Sequence, residues 1–264
     1  MAGEAKTNAF LLSSATVMIG AMDKVFELDP ATHSLGLVKN FQVSAEPAYT
    51  ELTQGVRNQI VYSVLTGNPV RAQMEVYEFG AKNLSYGLGL DGSSLTAKTP
   101  LTLKTAITNG GTAVVANAAS DPGYSTGDLV MIQYNDKVHV GKLASAGTFS
   151  TDQVTLTLTA GTAMPTGMTF PVGCLVSKAN VVSVGKQTAQ PFFSDKVVGI
   201  LPQDNTPICI LFPKLRITRG FTLNFSTDNF GNLPFEFTPY EMVAADALYS
   251  DFSADVYAKL LTIF

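Results

Sequence analysis

The sequence predicts a mainly β protein, and three observations support that fold class. Several segments alternate apolar and polar residues with the two-residue period of a strand that has one buried face. Turn-forming residues recur along the whole chain, with 22 glycines and 13 prolines in 264 residues, as expected where many short strands are joined by tight turns. Apolar residues make up 46% of the chain, which suffices for a substantial core at this length.

Charged residues are scarce, and their balance is slightly acidic. They form 14% of the chain, against about a quarter in ordinary soluble domains, and so few charges favour a surface that is hidden in an assembly. The formal net charge is −4, whereas proteins that grip nucleic acid usually carry a basic stripe. The composition therefore predicts that any DNA this protein meets is not held tightly.

The first block of the chain, residues 1–93, contains long alternating segments. Residues 41–46 alternate strictly, which predicts a strand with one wet face. Residues 58–65 are rich in β-branched side chains, and residues 71–77 alternate again after a turn at 67–69. We therefore expect these last two segments to pair as a hairpin with one polar side.

The two ends of this block are predicted to be short elements. The N-terminus is interpreted as a tail that leads into a first strand rather than as a secretory signal, because Glu4 lies where a signal carries basic residues. After the hairpin, Leu84 and Leu88 lie at helical spacing. This pattern predicts a short helix that ends at residues 91–92, an Asp-Gly pair.

The second block, residues 94–185, differs in composition and has shorter strand-like segments. It is rich in Thr, Ala, Gly, Ser and Val, and turn signals separate its segments at near-regular intervals. The expected strands cover residues 113–116, 129–134, 138–143, 154–158 and 174–176. This rhythm is typical of a small β-barrel or sandwich. We interpret the block as an inserted domain, because the third block again contains alternating apolar and polar segments like those of the first block.

The third block, residues 186–264, alternates again. The expected strands cover residues 208–212, 214–218, 221–225 and 233–238. Pro234 predicts an edge position for the last of them, because proline has no N–H to donate to a neighbouring strand. The segment 249–264 mixes aromatic with charged residues, and its pattern leaves both a helix and a strand open.

No residue pattern predicts catalysis, cofactor binding or a metal site. The sequence lacks the common motifs of nucleotide, nucleophile and metal chemistry, and His33 and His139 each stand apart from other metal ligands in sequence. Cys174 and Cys209 form no paired motif, so two buried thiols are favoured over a disulfide bridge. An enzyme that assembles its site from distant residues stays open.

Four features follow one another in an order that is similar to phage tail tube (major tail) proteins. They are the strand at 41–46, the polar loop from Pro47 to Gly55, the hairpin at 58–76 with the helix at 83–90, and the closing strand at 233–238. The resemblance covers residues 39–90 and 212–243 and carries no catalytic signature. The second block departs from the family pattern, and we expect it to be an added domain on the outer wall.

This resemblance implies a tail-tube-like β-sandwich subunit that self-assembles into stacked hexameric rings, which form a channel for DNA during ejection. Sheets of neighbouring subunits would join into one inner barrel, and ring closure would pair strand edges that otherwise invite aggregation. The family also implies tape measure and tail terminator proteins as partners, DNA as non-specific cargo, no cofactor and no membrane insertion. The protein would belong to the virion tail and be assembled in the host cytoplasm. Whether a sheath surrounds the tube stays open.

Two sets of residues are assigned to this function. The lumen-lining set comprises Gln42, Ser44, Gln59, Ser63, Arg71, Gln73 and Glu75. Apart from Arg71, these side chains are neutral or acidic and would let DNA slide, because they avoid the phosphate contacts that basic residues make. The ring-stacking set comprises Pro47, Tyr49, Glu51, Leu52 and Arg57. It combines aromatic, apolar and charged residues, a mixture found at interfaces.

Other functions are compatible with the sequence. A carbohydrate-binding or adhesin β-sandwich module should expose clustered aromatic residues, and the absence of tryptophan from the chain counts against it. A secretion-system tube protein shares the ring architecture, and the sequence does not separate it from a phage tube. The alternation by itself also fits a monomer whose polar faces meet solvent.

Overall fold

The computed structural model describes residues 15–92, 95, 99–183, 190–200, 206–219, 231, 233–252, 254–256 and 258–263. Strands dominate it, which confirms the predicted mainly β fold class. The chain divides into two compact units: unit 1 consists of residues 1–94 and 183–264, and unit 2 of residues 95–182. Each unit has its own hydrophobic core. In the part of the chain that is described, no helix is long and apolar enough to cross a membrane.

The described secondary structure consists of strands, one α-helix and two 3-10 turns at Met22–Lys24 and Ala160–Thr162. The strands of the first part of the chain are β1 (Thr16–Ala21), β2 (Val38–Ala45), β3 (Ala48–Gln54), β4 (Gln59–Gly67) and β5 (Val70–Val76), followed by the helix α1 (Ala81–Gly87). Unit 2 contains β6 (Leu101–Leu103), β7 (Ala113–Asn117), β8 (Leu129–Tyr134), β9 (Lys137–Lys142), β10 (Thr148–Ser150), β11 (Gln153–Thr157) and β12 (Leu175–Lys178). The last strands are β13 (Phe193–Ile200), β14 (Pro207–Arg219), β15 (Leu233–Pro239) and β16 (Leu261–Ile263).

Unit 1 is built on one antiparallel sheet in the order β1-β13-β14-β15-β5-β2, with β16 paired to the first part of β14. Its strands alternate because successive side chains point to opposite faces. In β5 the even-numbered residues from Val70 to Val76 are buried, while Arg71 and Gln73 between them are exposed. In β15 the odd-numbered residues from Leu233 to Pro239 are buried. One face of the sheet therefore builds the core.

Aromatic side chains join the elements of unit 1 across this core. Phe212 of β14 and Phe237 of β15 meet edge to face, with ring centroids 5.2 Å apart. Tyr86 of α1 meets Phe193 of β13 in the same way at 5.5 Å. Edge-to-face pairs stabilise a core beyond the apolar area that they bury, so these contacts hold both α1 and the central strands in place.

The pairing of the strands between residues 48 and 76 differs from the prediction. β4 pairs with β3 and not with β5, so that the predicted loop from Pro47 to Gly55 is mostly strand. The turn lies at residues 55–58, where the Asn58 N–H donates to the Gly55 carbonyl oxygen at 3.1 Å. Both residues have positive φ angles, 81° for Gly55 and 47° for Asn58. Glycine and asparagine tolerate this conformation, which explains why the hairpin closes here.

The helix α1 ends earlier than the sequence predicted. Its last residue is Gly87, and residues 91–92 lie beyond it. Gly89 has a φ of 68°, its N–H donates to the Tyr86 carbonyl oxygen at 2.8 Å, and the next N–H donates to the Ser85 carbonyl oxygen at 2.8 Å. This is a left-handed C-terminal cap, in which glycine satisfies the last carbonyl groups of the helix. The stop signal is therefore Gly89.

Two predictions about the third block are wrong. β14 continues through Pro213, so the two segments predicted on either side of it form one strand. β15 lies between β14 and β5, and it is not an edge strand. Among the described residues the pairing of β15 with β14 begins at Glu236, so Pro234 withholds no N–H from that part of the ladder. The strand predicted at 221–225 lies outside the described residues.

Unit 2 is a second antiparallel sheet in the order β10-β11-β7-β6-β12-β8-β9. The sheet closes on itself, because Leu143 after β9 bridges Leu158 after β11. His139 of β9 is buried, and its Nε2 lies 3.0 Å from the Thr162 carbonyl oxygen, so it has a structural contact. Cys174 is a buried free thiol.

Cys209 of unit 1 is also a free thiol, so no disulfide links the two cysteines. It is half-buried rather than buried, in contrast to the expectation for both thiols. Burial raises the pKa of Cys209 above its ordinary value, which keeps this thiol protonated and weakly reactive at neutral pH.

Two acidic residues in unit 1, one partly buried and one fully buried, differ in their partners. Burial alone would raise the pKa of Asp246, but hydrogen bonds from Lys214 Nζ at 2.8 Å and the Val243 N–H at 2.7 Å hold that pKa below its ordinary value. Asp195 of β13 is fully buried, and among the described residues neither of its carboxyl oxygens has a hydrogen-bond partner. Burial raises the pKa of Asp195 well above its ordinary value, so its neutral form is favoured.

Candidate assembly surface

Five residues of the predicted lumen-lining set share one face of the unit 1 sheet. Gln42 of β2 lies opposite Gln73 of β5, and Ser44 lies opposite Arg71. The Gln73 side-chain amide donates to Gln42 Oε1 at 2.9 Å. β15 adds Glu236, which lies opposite Gln73 on the other side of β5. We call this surface the polar face; it comprises Gln42, Ser44, Arg71, Gln73, Glu75 and Glu236.

The charges of the polar face are partly compensated. Glu75 Oε2 accepts hydrogen bonds from Asn40 Nδ2 at 3.1 Å and from the Tyr77 hydroxyl at 2.9 Å. Arg71 Nη1 lies 4.0 Å from Glu236 Oε1. The Arg71 side chain is 69% exposed, so this ion pair adds little stability, but it places an acid beside the basic member of the set. The polar face thus mixes amides, a hydroxyl and charges of both signs.

Gln59 and Ser63, the other two members of the predicted lumen-lining set, are not on the polar face. Both lie on β4, where Gln59 is opposite Gln54 and Ser63 is opposite Glu51. They were assigned to the lumen because β4 was expected to pair with β5. Since β4 pairs with β3 in a separate sheet, that reason no longer holds.

The two-stranded sheet of β3, β4 and their turn is exposed along its whole length. Every residue from 48 to 66 is exposed, and we call residues 48–67 the arm. Four members of the predicted ring-stacking set lie in it, and Pro47 directly precedes it. Its exposed large apolar side chains are Tyr49, Leu52, Val56, Ile60, Val61, Tyr62, Val64 and Leu65. Tyr49 lies opposite Leu65, and Leu52 lies opposite Tyr62. Adjacent residues of a strand point to opposite faces, so apolar side chains leave the arm on both sides.

An arm of this kind needs a covering surface. An isolated two-stranded hairpin is marginally stable in water, and contiguous exposed apolar residues mark interaction sites. The arm also carries Glu51 in β3 and Arg57 in its turn, both exposed. Apolar contact area and a few charges are thus presented together, which is the mixture of an interface rather than of a solvated loop.

The edge of the unit 1 sheet at β2 is open within the described structure. There β2 pairs with β5 alone. The opposite edge, β1, is partly covered: the Ile19 N–H donates to the His33 carbonyl oxygen at 3.1 Å, and the Leu35 N–H donates to the Val17 carbonyl oxygen at 3.0 Å. An open edge offers unpaired backbone groups to a strand of another chain.

Glu236 and the apolar residues of β4 also belong to this surface, although they were not among the predicted site residues. A signal for the arm was available, because two runs rich in β-branched and aromatic residues flank a turn that contains Gly55 and Asn58. Glu236 had no such signal. It reaches the polar face only through the pairing of β15 with β5, which joins segments far apart in sequence.

Comparison with protein-family models finds none that matches the chain, and comparison with curated proteins finds no match either.

The described residues contain no group of three or more His, Cys, Asp or Glu side chains that could hold a metal ion. His33 lies in a turn, where its Nδ1 is 3.0 Å from Asp29 Oδ2.

Proposed function

We propose that this chain is a structural subunit of a phage tail tube, which self-assembles into stacked hexameric rings around a channel for DNA. The arm carries this proposal. It exposes apolar side chains on both faces of two whole strands, and other copies of the chain are the partners that a self-assembling tube provides to cover them. The open edge of β2 and the polar face support the same function.

The polar face would line the channel. Gln42, Ser44 and Gln73 offer neutral hydrogen-bonding groups, which exchange partners readily with water and phosphate. Arg71 lies beside Glu236, and this acid weakens its attraction for phosphate. DNA would pass such a wall without the accumulated ion pairs that make nucleic-acid binding tight.

The open edge and the arm would make the two kinds of contact that a tube needs. Pairing of β2 with a strand of the neighbouring copy would close the ring and remove the exposed edge. The arm would contact the next ring, with Glu51 in the middle of β3 and Arg57 in the turn adding polar contacts. Contacts between unlike surfaces of identical subunits extend an assembly without limit unless they close, so partner proteins, a tape measure and a tail terminator, would set the length.

Negative-stain microscopy of the purified protein over a concentration series tests the proposal. We expect rings or hollow tubes at high concentration, and a strictly monomeric protein there would contradict it. The variant with Glu51→Lys and Leu52→Asp should keep the circular dichroism spectrum of the wild type and form no tubes. Normal tube growth by this variant would show that the ring-stacking assignment is wrong.

A further inference from the structure

The arm continues the antiparallel pairing of β2 with β5, but the ladder of backbone hydrogen bonds is interrupted where the arm begins. Ala45 lies opposite Val70 in the unit 1 sheet, and Ala48 lies opposite Gly67 in the arm. The two pairs are in the same register, because two residues separate them on each strand. The arm and the hairpin of β2 and β5 are therefore one two-stranded ribbon with a break in it.

A proline removes one hydrogen bond at this break, which consists of residues 46–47 and 68–69 and which we call the arm base. The Glu46 N–H donates to the Pro69 carbonyl oxygen at 3.1 Å. In an antiparallel ladder such a pair normally exchanges two hydrogen bonds, but Pro69 has no N–H to donate in return. The pair of Glu46 and Pro69 is thus held by one backbone hydrogen bond instead of two.

A β-bulge lies directly beside the arm base. Ala48 pairs with Gly67 but Tyr49 pairs with Leu65, so Thr66 is an extra residue in β4. A bulge disrupts the ladder locally and bends the strand that carries it. The missing hydrogen bond and the bulge are neighbours along the ribbon, and together they weaken it against bending at this point.

The direction of the arm depends on its base. Every residue from 48 to 66 is exposed, which leaves few contacts that could fix the arm against the rest of unit 1. β4 has 9 residues, so at about 3.3 Å per residue the arm is about 30 Å long. A swing of about 20° at the arm base would move the turn of the arm by on the order of 10 Å.

A lysine of the C-terminal segment reaches the arm base from a fixed position. Lys259 Nζ donates to the Asn68 carbonyl oxygen at 2.9 Å and lies 3.9 Å from Glu241 Oε1. On one side of Lys259, Val256 packs in a hydrophobic cluster with Leu211; on the other side, β16 pairs with β14. Because its segment is anchored on both sides, Lys259 can hold the arm base in place.

We propose that the arm base is a hinge and that Lys259 is the latch that holds it. While the contact with Asn68 is made, the arm has one direction; when it is broken, the arm swings as a ribbon about the pair of Glu46 and Pro69. This inference goes beyond the proposed tube function, because it concerns the unassembled subunit and holds whether or not the chain forms tubes. In a tube, the hinge would let the arm adjust to the surface of the next ring.

The distance between two spin labels on the unassembled subunit tests the hinge. One label is attached to Val56→Cys in the exposed turn of the arm, and the other to Arg71→Cys in β5, which is paired on both sides, in a Cys209→Ala background. We expect a narrow distribution centred at roughly 40 Å, and Lys259→Met should at least double its width. Lys24→Met removes an exposed ion pair elsewhere in unit 1; it is the matched control and should leave the width unchanged.

Replacing Pro69 tests whether the bending occurs at the arm base. Pro69→Val supplies the missing N–H, so the chain with both Lys259→Met and Pro69→Val should have the narrow distribution again. A label pair within the arm, Ala48→Cys with Val56→Cys, should give a narrow distribution with or without Lys259→Met, because the arm moves as a unit.

Each contrary result overturns the inference. An unchanged width for Lys259→Met, or a distribution for the unsubstituted latch that is as broad as that of Lys259→Met, would mean that Lys259 does not hold the arm. A distribution that stays broad after Pro69→Val would place the bending away from the arm base. Broadening of the label pair within the arm would mean that the arm unfolds rather than swings.

Discussion

Replacing Leu52 with alanine removes apolar surface from the arm without touching the core of unit 1. Leu52 is 64% exposed, so most of its apolar surface is still available for burial between copies. At about 0.8 kcal/mol per buried carbon, the three lost carbons are worth about 2.4 kcal/mol, and the exposed fraction corresponds to about 1.5 kcal/mol. Since about 1.4 kcal/mol is a tenfold change in affinity, the critical concentration for assembly should rise roughly tenfold.

Sedimentation of tubes over a concentration series measures this critical concentration, and thermal unfolding of the unassembled subunit measures the stability of the fold. The unfolding free energy should change by less than about 0.5 kcal/mol, as for other exposed positions. Val172→Ala is the matched control, because Val172 is 62% exposed but lies in unit 2, outside the arm. Its critical concentration should equal that of the wild type.

Two results would refute this reasoning. An unchanged critical concentration for Leu52→Ala would mean that the face of the arm with Leu52 and Tyr62 is not buried in the tube. The second is a fall of about 1.5 kcal/mol in the unfolding free energy of the unassembled subunit, with a rise in critical concentration no larger than this loss of folded subunit explains. That result would mean that the arm is covered within its own chain.

Three further predictions concern the stability of unit 1. Asp195 titrates with a raised pKa in the folded state, so the unfolded chain loses its proton first and wild-type stability falls as the pH rises above about 4. Asp195→Asn should therefore gain stability relative to the wild type between pH 4 and pH 7 in denaturant titrations, and a constant difference would contradict the buried neutral acid. Lys214→Met leaves the partly buried carboxylate of Asp246 without its cation and should cost about 1–3 kcal/mol in the same assay; adding Asp246→Asn should recover part of the loss, and no recovery would mean that the ion pair is not the cause. Gly89→Ala forces a side chain into a positive φ and against the Gln190 amide, so it should lower stability by about 1–2 kcal/mol or more; an unchanged midpoint of unfolding would show that the cap of α1 tolerates alanine.

Local pattern predicted much of the strand content and several of the faces. The alternation in residues 71–77 placed Arg71, Gln73 and Glu75 together, away from the core, and β5 has that pattern. Short strands of unit 2 such as β8 were predicted at their observed bounds. β13, by contrast, has no strict alternation: Phe193, Ser194 and Asp195 are consecutive and all buried. A period of two cannot identify a strand that is covered on both faces.

For the candidate surface, the sequence did not predict how β3, β4 and β5 pair. Tyr49, Glu51 and Leu52 are exposed, and their role in ring stacking stays a prediction. Their segment was expected to be a loop, and the two lumen residues on β4 were placed on the wrong sheet. Each error came from assigning β4 to its later neighbour in the chain instead of its earlier one. Both pairings are local in sequence, and the turn at Gly55 and Asn58, where both residues have positive φ angles, decides between them.

The sequence by itself determined that this chain is mainly β and which side of several strands is apolar, because side-chain direction in a strand follows from backbone geometry within a few residues. Only the tertiary structure decided that β15 lies beside β5, that Glu236 thereby meets Arg71, and that the arm stands uncovered. These features depend on contacts between segments that are far apart in sequence. The free energy of such contacts is set by both partners, so the residue pattern of one segment does not predict it.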